Sequence, residues 1–323
     1  MDHEQMTTVA FGVAVVCAGL MGYAIQSGAT CTVYAVSELI EKRRASRLLA
    51  LLEAGLWVAA TLIIAAWLEM TPVYAGAFEL SKFTVLGGIL LGLGAYVNGA
   101  CVFGSVARVG SGEIGFLITP LGFFLGVELF ETLVGIGPLR LPEAASSLAR
   151  LPLLLLAAFM TLALARAGRI IWRAVRRDQL IGAAPLWNPH VATLVIGITF
   201  AIMLLGVGPW TYTELLTDLA KGKSDDIAWR VALFAALLTG ARIGGLRHGM
   251  TAWTTPTRKR IQTCLIGGAM MGIGGALIPG GNDGLVLVGL PFLMPYALIS
   301  LTTMVAVIAL AIWARQRFGN PVS

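Results

Sequence analysis

Two cysteines in this 323-residue chain stand in matching settings: Cys31 closes QSGATC (26–31) and Cys101 closes NGAC (98–101). Each follows a long apolar run and precedes a short one, TVYAVSELI (32–40) and VFGSVARVGSGE (102–113). If the short pieces are helical, their N-termini aim free amides and positive dipole ends at the break, a setting that favours an anion. A thiol there is activated by the dipole and offers a ligand a weak S–H donor and a soft sulfur acceptor. Phosphate and sulfate are ordinarily held by Arg, Lys and backbone amides. Thiols in that place point to a softer anion containing sulfur or selenium. Cys17 and Cys264 lie mid-run among Val, Ala, Leu and Ile, where free cysteine is a small buried hydrophobe. That plainer use stays open for Cys31 and Cys101 as well.

A third break, IPGGND (278–283), precedes GLVLVGL (284–290) and carries no thiol. Gly281 or Asn282 stands where one would match, and Asp283 would repel an anion unless it faces away or is paired. Gly28, Gly99, Gly104 and Ser105 complete the candidate lining around the breaks. Glu128 and Glu131, spaced i,i+3 inside an apolar run, share a helical face. A carboxylate at the centre of a bilayer costs on the order of several kcal/mol. These two therefore either couple transport to protons or lie near an outer end, facing water or a base such as Arg140. Arg108, Arg242 and Arg247 either line a vestibule or serve as topology signals. The cysteines form no CxxC or His–Cys cluster, and His3, His190 and His248 are far apart, so neither a metal site nor a cofactor is expected.

The elements that must position these residues are membrane helices. The chain is 57% hydrophobic and 12% charged, with mean hydropathy +0.83, about half the charge of an ordinary soluble domain. Nine apolar runs approach the length needed to cross a bilayer: roughly 8–27, 47–68, 83–103, 113–136, 150–171, 190–208, 228–246, 263–280 and 293–313. The fold class expected is an all-α integral membrane protein. The acidic start, MDHEQM, lacks the basic region of a cleaved signal peptide. Of the 23 Lys and Arg residues, seventeen fall in one set of alternate loops and six in the other. This bias puts the N-terminus in the periplasm and the C-terminus in the cytoplasm. It also accounts for the net charge of +6 without a nucleic-acid surface. Trp57, Trp67, Trp172, Trp187, Trp210 and Trp313 fall near span ends, the usual place for interface anchors.

The runs repeat. Gly87, Gly88, Gly92, Gly94 and Gly104 are matched 180 residues later by Gly267, Gly268, Gly272, Gly274 and Gly284. The same offset carries spans 1 to 4 onto spans 6 to 9, leaving span 5 over. One odd span between two four-span units makes the second unit enter from the opposite face, an inverted repeat about an axis in the membrane plane. The organisation expected is a first repeat over 1–140, a linking span with a basic cytoplasmic loop over 141–180, and a second, inverted repeat over 181–323. Glycine runs also serve close helix packing alone.

The glycine runs, QSGATC after the first span and the GG-rich partner in the second half resemble the YeeE/YedE family of thiosulfate-uptake membrane proteins along nearly the whole chain. The resemblance implies an inverted-repeat, hourglass-shaped transporter and not an enzyme. In it, thiosulfate is handed between thiols at a central constriction of the bacterial inner membrane. On this chain those thiols match Cys31 and Cys101, and the third family cysteine is replaced at Gly281–Asn282. The expected partners are the sulfur-containing anion, the lipid bilayer and a cytoplasmic sulfur-carrier protein. Two other readings are carried beside it: a persulfide-forming sulfur-transfer protein, and a transporter of a selenium or other sulfur compound.

Overall fold

The computed structural model describes residues 3–70, 78–135, 153–176, 187–223, 227–278 and 280–318, all of them in helices and connecting turns. The helices are α1 (His3–Ser27), α2 (Thr32–Lys42), α3 (Ser46–Trp67), α4 (Lys82–Asn98), α5 (Val102–Gly110), α6 (Ile118–Leu133) and α7 (Leu153–Arg176). They continue with α8 (Pro189–Val207), α9 (Tyr212–Ala220), α10 (Ile227–Arg247), α11 (Arg258–Leu277), α12 (Asn282–Gly284, prolonged by a π turn to Gly289) and α13 (Pro295–Phe318). Among the described residues eight helical segments are long and apolar enough to cross a membrane, or nine if α11 and α12, bent by 52°, form one span. The protein is a multi-pass, all-helical membrane protein. Arg140, offered above as a partner for the acids of span 4, lies outside the described residues.

Helix ends follow local chemistry. Ser81 opens α4 by accepting from the Phe83 amide at 3.2 Å, while its own N–H donates to Thr84 Oγ1 at 3.1 Å. Gly99 ends the same helix at φ +78°, a left-handed turn that costs glycine least. Asn188 caps α8 ahead of Pro189, and Thr257 caps α11, as side-chain oxygens do at helix starts.

The 180-residue offset extends to the packing. α1 packs on α10 and α8 on α3; α4 packs on α13 and α11 on α6; α2 packs on α13 and α9 on α6. The pairs that exchange into themselves, α1 with α8, α4 with α11 and α5 with α12, also touch. The doubled glycines lie at one of these crossings. A methyl group built on Gly94 would lie 2.7 Å from the Gly267 carbonyl oxygen, and one on Gly267 would lie 2.6 Å from that of Gly94. Gly87 and Gly274 repeat the arrangement at 2.9 and 2.8 Å. The α4 and α11 backbones are therefore in direct contact, which any side chain would prevent.

α7 is peripheral. It buries Met160, Ala163, Ile170 and Ala174 against Trp57, Ile63 and Val191, and Arg166 ties it to Glu53 of α3 at 2.8 Å. The tryptophan expectation divides. Trp67, Trp172 and Trp313 are about half exposed, but Trp57 and Trp210 are buried. Trp187 packs edge-on to Tyr23 and donates its amide to the Ser27 carbonyl at 2.8 Å. Packing outweighed position at these three, because the span ends nearest them fold back into the protein.

Candidate functional site

Four helix N-termini meet in the protein interior: α2 at Thr32, α5 at Val102, α9 at Tyr212 and α12 at Asn282. The first and third begin 180 residues apart, as do the second and fourth. Only three of these breaks were expected. The helix α9 lies in what the sequence reading left as a loop between spans 6 and 7. Its signal was present as Thr211-Tyr-Thr-Glu214, a capping-box spacing, and the Glu214 amide does donate to Thr211 Oγ1 at 3.2 Å.

One unit contributes sulfur. Cys31 and Cys101, 70 residues apart, lie side by side with their thiols hydrogen-bonded to each other. Both are free thiols; Cys101 is fully buried and Cys31 half-buried. The amide that opens α2, Thr32 N–H, donates to Cys101 Sγ at 3.1 Å. Gly104 forms the surface on which Cys31 rests, since a methyl group there would meet Cys31 Sγ at 2.5 Å. A slot of about 10 Å³ reaches Cys31 past Gly28, Thr30, Arg47 and Thr193, room for one water-sized group. Arg47 donates to the Gly28 carbonyl at 2.8 Å. In this conformation the thiol pair is a closed constriction.

The other unit contributes oxygen and an amide. Cys31 is matched by Thr211 and Cys101 by Gly281, with Asn282 and Asp283 following. Asn282 joins the two units: its Oδ1 accepts from Val102 N–H at 3.2 Å and its Nδ2 donates to Thr32 Oγ1 at 3.3 Å. It thereby caps α5 from across the repeat. The expectation that its amide is free for a substrate is corrected here, because the oxygen and one N–H are engaged within the protein. Tyr212 OH donates to the Val102 carbonyl at 2.9 Å, and the Gly281 amide donates to Thr213 Oγ1 at 3.1 Å. Asp283, buried, accepts from Thr213 Oγ1 at 2.6 Å and from the Gly284 amide at 2.9 Å.

The remaining candidates divide between support and periphery. Ser105 donates to the Cys101 carbonyl at 3.1 Å and accepts from Asn98 Nδ2 at 3.0 Å. Asn98, which sequence reasoning passed over, also bonds the Ala100 carbonyl and the Thr119 hydroxyl, so it holds the break in shape. Gly28 lets α8 approach, for a methyl group there would strike the Ala192 side chain. Glu128 and Glu131 are not brought to the site. Glu128 is exposed, and Glu131 pairs with Lys221 Nζ at 3.1 Å. Arg108 pairs with Glu113 at 2.6 Å, and Arg242 donates to the carbonyls of Gly110, Met250 and Thr251.

Taken together, these contacts give a dry, thiol-bearing centre on which the positive ends of four helices converge. No curated protein matches the chain. The family model described as sulphur transport matches residues 27–310, from the residue before the first break to within the last helix, so the chain belongs to the sulphur-transport, or YeeE/YedE, family.

Proposed function

We propose that this sulfur transporter imports thiosulfate, or a related small sulfur-containing anion, across the bacterial inner membrane through the centre between Cys31 and Cys101. The observation that carries the reading is the convergence of four helix N-termini on two thiols in hydrogen-bond contact. The helix ends favour negative charge, and the thiols favour a ligand whose negative charge sits partly on sulfur. In this reading residues 1–140 and 181–323 are inverted repeats joined by 141–180, with the N-terminus periplasmic and the C-terminus cytoplasmic. Cys31, Cys101 and Asn282 change partners as the anion passes, while Gly28, Gly99, Gly104, Ser105 and Gly281 shape the passage. A cytoplasmic sulfur-carrier protein receives the cargo. The test is uptake of radiolabelled thiosulfate by the purified full-length protein in liposomes, with sulfate, sulfite and selenium analogues as competitors. Uptake that sulfate suppresses as well as thiosulfate does would refute a site built for sulfur.

The contact between the thiols supports a second reading, as a sulfur-transfer protein. A persulfide on one cysteine, attacked by the other, would release hydrosulfide and leave a Cys31–Cys101 disulfide. Mass spectrometry of protein exposed to thiosulfate separates the two readings, since simple passage leaves both cysteines unmodified.

A further inference from the structure

Asp283 is the one buried carboxylate at the central break, and nothing said so far uses it. Its side chain is 2% exposed. Oδ1 is held by the Thr213 hydroxyl and the Gly284 amide. The amides of Thr213 and Asp283 also lie near the carboxyl group, but Oδ2 is buried and has no hydrogen-bond partner among the described residues. No ion pair reaches it among the described residues either. The ionisable groups around it are Tyr212 on α9, within electrostatic reach of both Asp283 and Cys101, and Cys101 itself on α5. Farther out, Tyr296 of α13 faces Glu214 of α9. None of these is a cation.

A buried carboxylate with one unpartnered oxygen, beside a passage for an anion, sets two negative charges together where water cannot screen them. A proton on Oδ2 removes one of those charges and gives the orphaned atom a donor. A metal cation is the poorer occupant: no group of three or more His, Cys, Asp or Glu side chains gathers among the described residues, and the Thr213 hydroxyl spends its hydrogen on Asp283. We propose that Asp283 takes up a proton with each anion and releases it on the far side, which makes the protein a proton–anion symporter. The proposal rests on the anion-import reading. The step is a protonation and deprotonation of Oδ2, with no covalent change in the cargo.

The test uses full-length protein in liposomes that trap a pH-sensitive dye, with radiolabelled thiosulfate counted in parallel. An acid exterior is expected to raise accumulation about tenfold per pH unit for one proton moved, and the lumen should acidify as label enters. Label entering without acidification, or driven by a sodium gradient in place of the pH gradient, overturns the coupling and leaves the import reading intact. No entry of label under any gradient removes the import reading, and the coupling with it. In Asp283→Asn the residual uptake should be indifferent to the pH gradient; a preserved response overturns the assignment to Asp283. Should that variant fold poorly or carry nothing, Asp283→Glu decides: it keeps a titratable group at a changed distance, so the pH midpoint of uptake must move, and an unmoved midpoint overturns the assignment.

Discussion

At the scale of residues, the site depends on side chains that cap a neighbour's helix. Cys101 Sγ accepts the first amide of α2, and Asn282 Oδ1 accepts the first amide of α5. Each does so in the dry interior, where an unpaired amide costs about 1–3 kcal/mol. Cys101→Ser keeps an acceptor for Thr32 N–H but removes the sulfur. It should melt close to the parent protein while thiosulfate uptake falls by at least about tenfold, the value of one weakened bond to a charged group. Cys101→Ala should lose both stability and uptake, whereas Cys17→Ala and Cys264→Ala should be near neutral in uptake. Normal uptake in Cys101→Ser would remove sulfur from the mechanism. Asn282→Leu strands Val102 N–H and the Thr32 hydroxyl together, so a loss of about 2–5 kcal/mol is expected. Asn282→Asp, which keeps the acceptor for Val102, should lose less. Thermal unfolding in detergent measures both, and equal losses would show that the acceptor does not matter.

At the scale of elements, the glycines tell most. Gly94→Ala drives a methyl group against the Gly267 carbonyl, and overpacking of this kind costs about 1–3 kcal/mol. Gly168→Ala, on the exposed side of α7 with nothing within 4 Å of the added carbon, should be neutral or slightly stabilising, since alanine is the better helix former. Equal melting points for the two variants would contradict the backbone contact. The sequence made this crossing legible, because five glycines in register have few other uses. It also marked Cys31 and Cys101 through their surroundings. It left α9 obscure: Glu214, Asp218 and the nearby Lys221 and Lys223 make the segment too polar for a search keyed to hydropathy. The partners of Cys101 and Asn282 were beyond reach for a different reason. Those bonds join residues 69 and 180 positions apart, and no local pattern records which amide a folded side chain will meet.

For the whole molecule, the testable property is its orientation. Lys221, at the end of α9, meets Glu131 near the end of α6 at 3.1 Å, so those two ends share one face. Arg176 closes α7 among the basic residues assigned to the other. An impermeant thiol reagent applied to intact cells should label a cysteine introduced at Lys221 and spare one at Arg176. The reverse pattern would invert the topology, and labelling at both would break the nine-span scheme. The same experiment bears on Glu131: in the chosen orientation it sits in an outer, hydrated pair, which suits it to anchoring α9 better than to carrying protons.

The seam between α4 and α11 has a mechanical consequence. Where side chains interlock, helices can shift by swapping one rotamer for another, and small sliding motions are cheap. Here carbonyl oxygens lie against bare α-carbons at two levels of the crossing. Sliding either helix along its axis would force those oxygens up over the neighbouring backbone, with no flexible atom to absorb the strain. Rolling about the contact meets no such obstacle. The crossing therefore acts as a fulcrum: it permits rotation of one half against the other while holding their separation fixed, and a small tilt there becomes a larger displacement at the distant helix ends.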